Sequence, residues 1–198
     1  QLHCPPSEIY DKQETYEMMD TIVDKGKIRY YGVSVEKVSE AIEAIKHSNV
    51  KSVQIIFNIF RQKPKDEFFK EAAKRNIAII VRVPLASGML TGKMNANSTF
   101  AENDHRAYNI NGEAFDIGET FSGVNFAKGL EVVEELKKII PENFSLSEFA
   151  IKWILMHPEV TVVIPGAKNK EQIIEINTNK GEELLYELKW PIETIYLG

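Results

Sequence analysis

The sequence has little cysteine, no long apolar run and no excess of positive charge. Cys4 is its single cysteine, which excludes a disulfide framework and a cysteine-rich metal site. No apolar run approaches the roughly 20 residues that a membrane-spanning helix needs. The net charge of −5 argues against nucleic-acid binding, which usually needs a basic surface. The histidines are scattered without the spacing of a zinc site, so we expect no metal, no nucleic acid and no membrane among the partners.

The composition that remains is typical of a soluble globular protein. Of the 198 residues, 43% are apolar and 27% are charged. This length suits one domain or part of a larger one, and we expect a single domain over residues 1–198. The chain begins with Gln1 rather than methionine and has no signal-like segment, so we expect a fragment.

Near-continuous apolar runs rich in β-branched residues predict four buried parallel strands. These runs occupy residues 28–35, 52–60, 77–84 and 160–165, and residues 1–4 are compatible with the end of a further strand. Segments with helical periodicity alternate with the strands. One helix is predicted to end at Gly26, another at Pro141, and a third to begin at Ser145 with a capping box.

Alternating strands and helices predict a parallel sheet, in either a doubly wound fold or a (β/α)8 barrel. The absence of a GxGxxG fingerprint weakens the first alternative. A complete barrel usually takes about 250 residues, so this α/β chain is short by about three βα units. The long polar segment 94–123 is predicted to be a loop, and because it follows a predicted strand it would lie at the rim where barrel active sites are built.

Five motifs occur in order along the chain, each at a strand end. They are LHCPP at the start, GKIRYYGVS at 26–34, VQIIFNIF at 53–60, VPLASGMLTGK at 83–93 and HPEVTVVIPGAKNKEQ at 157–172. Together they resemble the aldo-keto reductase family over residues 1 to about 177. The resemblance implies a (β/α)8 barrel, present here from the end of strand four through strand eight. It also implies an oxidoreductase that transfers a hydride from NAD(P)H to an aldehyde or ketone.

The resemblance supplies one catalytic residue, since His3 matches the family histidine that orients the substrate carbonyl. The residue pattern alone leaves His3 equally open to a role as a rim histidine bonded to backbone. The tyrosine that donates the proton, with its lysine and aspartate, has no match in this chain, and Tyr16, Tyr30 and Tyr31 are not assigned to that role. We therefore expect that this polypeptide alone does not reduce a carbonyl, because a general acid must reach the carbonyl oxygen.

The resemblance implies cofactor contacts on three strands. Ser34 and Gln54 match residues that contact the nicotinamide carboxamide, although Val35 stands where the family often has asparagine. An amide on an otherwise apolar strand needs hydrogen-bond partners, which favours a functional role for Gln54. Arg82 stands where many relatives have a tyrosine stacked on the nicotinamide, and its guanidinium could stack, pair with a phosphate or form a rim ion pair.

Two further segments match the phosphate-binding parts of the family. The pyrophosphate loop contains glycine for close backbone approach and lysine for charge neutralisation; its residues are Val83, Pro84, Leu85, Ser87, Gly88 and Lys93. The adenosine-phosphate end follows the last strand and opens a helix, where backbone amides bind anions; its residues are Gly166, Ala167, Lys168, Gln172 and Glu175. Lys168 favours NADP over NAD, whereas Gln172 and Ile176 replace an arginine and an asparagine of some relatives.

A second class of function also fits these residues, because the proton donor is missing while the cofactor residues are kept. This alternative is a non-catalytic nucleotide-binding or interaction module on the same scaffold. An unrelated phosphate-binding barrel is disfavoured by the ordered motifs. The open sheet edges of an incomplete barrel predict self-association. We expect a cytoplasmic protein acting on a small-molecule carbonyl substrate that the sequence does not name.

Overall fold

The computed structural model describes residues 1–177. Within them lie five strands, β1 (Leu2–His3), β2 (Tyr31–Ser34), β3 (Val50–Ile56), β4 (Ala78–Arg82) and β5 (Val160–Val163). The α-helices of these residues are α1 (Gln13–Asp24), α2 (Val38–Ala44), α3 (Lys70–Lys74), α4 (His105–Tyr108), α5 (Phe126–Ile139), α6 (Leu146–Leu155) and α7 (Lys170–Ile176). All four predicted strands are therefore present. Three of them have narrower bounds, β3 begins two residues earlier than predicted and ends at Ile56, and the expected strand end near residue 1 is β1.

The chain divides into two compact units, each assembled from separate segments. The first contains Gln1–Ile55, Lys63–Val81 and Glu159–Val162. The second contains Ile56–Gln62, Arg82–Pro158 and the chain from Val163 onward. The single domain expected over residues 1–198 stays a prediction.

The first unit holds almost all of a five-stranded sheet whose strands follow one another in chain order. β1 pairs in parallel with β2, and β2 pairs in parallel with β3. Valine and isoleucine side chains of these strands, such as Val33, Val53 and Ile79, are completely buried. Burial of such side chains is the main favourable term that stabilises the sheet.

Local sequence signals account for the helices around this sheet. α1 ends at Asp24, and Gly26 then adopts a φ of +66°, as its predicted capping role requires. α2 begins where the Glu40 carboxylate accepts the backbone N–H groups of Glu36 and Lys37, both at 3.0 Å. A π-helical turn at Lys65–Phe69 leads into α3. Its adjacent Phe68 and Phe69 are both buried.

The second unit contains the helices α5 and α6. α5 ends at Ile139, before Pro141 as predicted. Ser145 and Glu148 form the predicted capping box of α6, with the Ser145 hydroxyl accepting Glu148 N–H at 3.2 Å and the Glu148 carboxylate accepting Ser145 N–H at 2.8 Å. The buried Trp153 of α6 stacks on Phe57, with ring centroids 5.2 Å apart, and forms the centre of this unit's core.

Two expectations from the sequence are corrected by the structure. The run 160–165 was expected to be a buried strand, yet in β5 both Thr161 and Val162 are exposed, because β5 lies at an edge of the sheet in the part of the chain that is described. The segment 94–123 was expected to be a loop throughout, yet it contains α4. The carboxylate of Asp104 caps this helix by accepting the Arg106 N–H at 3.0 Å. Across residues 1–177, no helix combines the length and apolar character needed to cross a membrane.

Candidate cofactor site

Three predicted site residues lie side by side at the carboxyl ends of adjacent strands in the first unit. His3 of β1 is opposite Ser34 of β2, and Ser34 is opposite Gln54 of β3. His3 is exposed, Gln54 is half-buried and Ser34 is fully buried. Register therefore brings an imidazole, a hydroxyl and an amide into one row. Carboxyl ends of parallel strands are where α/β folds place their ligands.

Two hydrogen bonds to its carbonyl oxygen hold Ser34, the middle residue of this row, in place. Its carbonyl oxygen accepts the Tyr10 hydroxyl at 2.8 Å and the Cys4 backbone N–H at 3.0 Å. The Cys4 thiol lies 3.6 Å from the Ser34 hydroxyl. Burial, with a smaller contribution from Glu40, raises the pKa of Tyr10 above its usual range.

Gln54 has both its side chain and its backbone engaged. Its side-chain amide donates to the Gln1 side-chain oxygen at 3.1 Å, and its carbonyl accepts the Val35 N–H at 3.0 Å. The amide thus has the hydrogen-bond partner that the sequence argument demanded. Since Gln1 is exposed, this partner can exchange for another polar group without burying an unsatisfied atom.

The remaining predicted residues all belong to the second unit, beginning with Arg82 at the end of β4. The Arg82 guanidinium forms an ion pair with the Glu119 carboxylate, and both side chains are largely buried. The sequence left stacking, phosphate pairing and an ion pair open for Arg82, and the structure shows an ion pair. Glu119 lies in the long segment after β4, and nothing in the sequence pattern identified it as the partner.

The predicted pyrophosphate loop has an unusual backbone. Val83, Ala86 and Ser87 have φ values of +52°, +47° and +56°, and Gly88 follows at +95°. Positive φ is costly for side chains with a Cβ, above all for a β-branched valine, and such strain is concentrated at functional sites. α5 packs closely against the continuation of this loop, since a Cβ on Gly129 would overlap the Met89 sulfur.

The Ser87 hydroxyl, predicted to face a phosphate, holds two parts of the chain together. It donates to the Glu119 carbonyl at 2.8 Å and accepts the Phe121 N–H at 3.1 Å. The His105 ring nitrogen Nε2 lies 3.5 Å from the same oxygen. These contacts fix the position of residues 86–88 against the segment 119–121.

Charged residues connect the predicted pyrophosphate loop to the segment after β5. The Lys93 ammonium lies 3.6 Å from the Glu175 carboxylate of α7. The Gln172 side chain accepts the Lys168 N–H at 2.6 Å, and Asn169 caps α7 by accepting the Gln172 N–H at 2.9 Å. Gly166, Ala167 and Lys168 are exposed, and a Cβ added to Gly166 would have no atom within 4 Å.

A separate polar pocket of about 220 Å³ lies in the first unit, between α1 and the chain entering β2 and β3. Its lining includes Tyr16, Asp20, Tyr31 and His47, with the Tyr31 hydroxyl donating to Asp20 at 2.7 Å. The pocket lies towards the amino ends of the strands, and it contains none of the predicted site residues. We therefore do not assign the cofactor to it.

Sequence reasoning missed three residues that shape the site: Tyr10, Asn58 and Glu119. Each acts on a residue far away in the chain, so no local pattern marked it. The only signal in the sequence was chemical, since Asn58 is an amide within the apolar run VQIIFNIF. A buried amide must be hydrogen-bonded, and its partners lie at Val83 and Ser122.

Comparison with known proteins gives consistent matches. The sequence matches the Aldo/keto reductase family over residues 1–186. It is 26% identical to the aldo-keto reductase YhdN of Bacillus subtilis, over 98% of this chain and 56% of that protein. It is 30% identical to a probable voltage-gated potassium channel subunit beta of Oryza sativa subsp. japonica, over 82% of this chain and 50% of that protein.

Among solved structures, the glycerol dehydrogenase of Gluconobacter oxydans has a TM-score of 0.72 with this chain at 24% identity. The match covers 98% of this chain and 57% of that one. At this identity the likeness shows the fold alone, and it confirms the predicted fold class, an incomplete (β/α)8 barrel. The chain spans about half the length of the relatives it matches.

Proposed function

Because this chain belongs to the aldo/keto reductase family, we propose that it binds NADP(H) and takes part in hydride transfer to a small aldehyde or ketone. The observation that carries the proposal is the row of His3, Ser34 and Gln54 at the carboxyl ends of three paired strands. An imidazole, a hydroxyl and an amide in one row supply donors and acceptors for a carboxamide and for a carbonyl oxygen. The nicotinamide would supply the hydride when bound.

The chemistry of the donor set fits a dinucleotide. Ser34 and Gln54 would hold the carboxamide, and the half-buried Gln54 amide can leave Gln1 to do so. Lys93 and Lys168 are exposed cations in the two segments predicted to hold phosphates. Gly166 leaves open space where a side chain would otherwise stand, which permits close approach of a ligand to the backbone.

NADP is the preferred cofactor in this proposal, with NAD as the alternative. The Lys168 ammonium would pair with a 2′-phosphate, a contact that NAD cannot make. Lys93 pairs with Glu175 at 3.6 Å, which offsets part of the positive charge that Lys93 would offer a phosphate. Lys168 therefore decides the preference.

His3 would orient the substrate carbonyl, since it is exposed next to the proposed nicotinamide contacts. The proton donor has no assigned residue in this chain, and we propose that this polypeptide binds the cofactor without turning over a carbonyl substrate. Measurable oxidation of NADPH by the purified chain in the presence of a generic aldehyde contradicts this part of the proposal.

Cofactor binding is tested by titrating the chain with NADPH and NADH and following nucleotide fluorescence. The matched variants are Lys168→Ala and Lys170→Ala, both exposed lysines at the start of α7. A lost charge-assisted contact lowers affinity by roughly tenfold or more. We expect this loss for NADPH in Lys168→Ala alone, with NADH binding unchanged. Equal effects of the two variants, or no binding by the unaltered chain, contradict the proposal.

A second candidate function is a non-catalytic nucleotide-binding or interaction module, and the match to a potassium channel subunit beta favours it. Both candidates predict that this chain alone binds the cofactor without turnover, and they differ in whether its residues take part in hydride transfer once a proton donor is supplied from outside this chain. The chain also carries exposed apolar side chains near β5, including Val162 at 41% and Ile164 at 45% exposure. We propose that this edge supports self-association. Sedimentation of a stable monomer counts against it.

The expected cytoplasmic location also remains a proposal. It is supported by the single cysteine, Cys4, since proteins of oxidising compartments commonly carry disulfide pairs. Localisation of the tagged protein in cells tests it, and accumulation outside the cytoplasm overturns it.

A further inference from the structure

Asn58 is a fully buried polar residue to which the proposed function gives no role. Its amide nitrogen donates to the Val83 carbonyl at 2.8 Å and to the Ser122 hydroxyl at 2.7 Å. Its oxygen accepts the backbone N–H groups of Phe60 at 3.0 Å and Arg61 at 3.1 Å. An asparagine has two N–H donors and two acceptor sites, so its capacity is completely used.

The turn that carries Asn58 is closed on itself. Asn58 and Arg61 exchange backbone hydrogen bonds across the turn, at 3.4 Å and 3.0 Å. The side chain of Asn58 reinforces the same turn from inside through its oxygen. A side chain held in this way projects its two donors in a fixed direction, with little conformational freedom left to lose.

The Asn58 amide donates to the Val83 carbonyl and to the Ser122 hydroxyl, and both of these residues have a positive φ. Val83 has a φ of +52° and Ser122 a φ of +60°. The Val83 carbonyl also accepts the Ala86 N–H at 3.1 Å, at the start of the loop that is proposed to hold the pyrophosphate. Such a backbone persists only where its surroundings determine it. The Asn58 amide is one such determinant, because it fixes the Val83 carbonyl.

The same turn also holds the segment 116–122 at its other end. Arg61 forms an ion pair with Asp116 at 3.2 Å, and a Cβ on Gly118 would overlap the Arg61 guanidinium. This segment in turn contacts the loop, since Glu119 pairs with Arg82 and its carbonyl accepts the Ser87 hydroxyl. Asn58 therefore contacts both partners of one interface within the second unit.

We infer that Asn58 is a positioning residue for cofactor binding, acting through Val83 and Ser122. It holds residues 83–87 and residues 116–122 in a single arrangement, so that the loop is preorganised before the cofactor binds. Preorganisation raises affinity because the cost of ordering the loop is removed from the binding step. The inference rests on the proposed function, since it names a determinant of the same site.

The test compares Asn58→Ala with Gln62→Ala in thermal unfolding and in NADPH titration. Gln62 is a buried amide of the same segment, and it donates to the Ile59 carbonyl of its own turn at 2.9 Å. Asn58→Ala loses four side-chain hydrogen bonds and Gln62→Ala loses the bond to Ile59, so we expect both variants to melt at a lower temperature. We expect NADPH binding to weaken roughly tenfold or more in Asn58→Ala alone. Equal Kd values for the two folded variants overturn the inference.

A second readout separates failure of this inference from failure of the proposed function. Hydrogen exchange of the chain without cofactor reports the order of residues 83–87 and 116–122 directly. We expect Asn58→Ala to speed exchange in both segments together, and Gln62→Ala to leave them unchanged. If the unaltered chain binds no NADPH, the proposed function fails while exchange still tests the coupling. Unchanged exchange in both segments overturns the inference.

A milder variant covers the case in which Asn58→Ala does not fold. Ser122→Ala removes one of the two donated contacts and leaves Val83 held. We expect faster exchange over residues 116–122, and an NADPH Kd raised about threefold to tenfold. Binding and exchange that both match the unaltered chain overturn the inference.

Discussion

Arg82 at the end of β4 forms an ion pair with Glu119, and only 10% of the arginine side chain and 24% of the glutamate side chain are exposed. Glu119→Gln removes the negative charge and leaves a buried guanidinium beside a neutral amide. Breaking a buried pair in this way is costly, and partial exposure reduces the loss to about 2 kcal/mol of unfolding free energy. Urea denaturation measures this loss of unfolding free energy. The double variant Arg82→Met, Glu119→Gln recovers part of the loss, whereas additive effects contradict the pairing.

Gly118 gives room to the Arg61 guanidinium, which pairs with Asp116. Gly118→Ala places a methyl group where Nη1 of Arg61 lies, so the ion pair must break or the segment must move. We expect a loss of roughly 1–3 kcal/mol, as is typical of overpacking. Gly166→Ala is the steric control for stability, because a Cβ there meets no atom within 4 Å. Equal melting temperatures for the two variants contradict the packing.

Buried tyrosines in the first unit predict a loss of stability in alkali. Burial raises the pKa of Tyr16 to about 12, while Tyr10 and Tyr31 are also raised, mainly by burial. In the unfolded chain these tyrosines ionise from about pH 10. The folded state therefore loses stability as the pH rises through that value towards the raised pKa.

Tyr16→Phe tests this dependence. The variant loses the hydroxyl that donates to the Tyr10 carbonyl at 3.0 Å, so we expect about 1 kcal/mol less stability at neutral pH. Its stability then falls less steeply above pH 10, as urea titrations at several pH values will show. Tyr30→Phe, at a position 72% exposed, keeps the slope of the unaltered chain. A Tyr16→Phe slope equal to that control contradicts the account.

Asp104 predicts a loss of stability in acid. The Arg106 guanidinium donates to its carboxylate at 2.9 Å and 2.6 Å, which holds the pKa of that carboxyl well below its usual range. The resulting stability is complete above about pH 4, the pKa in the unfolded chain, and is lost as the pH falls towards the lowered value. Asp104→Asn therefore flattens the acid decline below pH 4, whereas Glu102→Gln, an exposed neighbour, does not. Identical acid profiles for both variants contradict the assignment.

The sequence predicted those parts of the fold that depend on local patterns. Apolar runs located the strands, and Gly26, Pro141 and Ser145 located helix ends, because a cap or a proline acts within one turn. The structure then adds the register, which brings His3, Ser34 and Gln54 side by side on β1, β2 and β3. The site residues drawn from the family resemblance remain predictions.

The contacts that fix the loop could not be read from the sequence. Asn58 meets Val83 across 25 positions and Ser122 across 64, and the partner of Arg82 lies within a polar segment without periodicity. Burial of β5 was predicted from its apolar residues alone, yet burial depends on which elements cover a strand. Such pairings are set by tertiary packing, which no local pattern encodes.

The most direct test of the account is hydrogen exchange of the chain with and without saturating NADPH. We expect slower exchange in residues 83–93 and 166–175, together with the strand ends around Ser34 and Gln54. Slower exchange confined to the polar pocket lined by Tyr16, Asp20 and His47, or no change anywhere, would contradict the assignment of the cofactor to these segments.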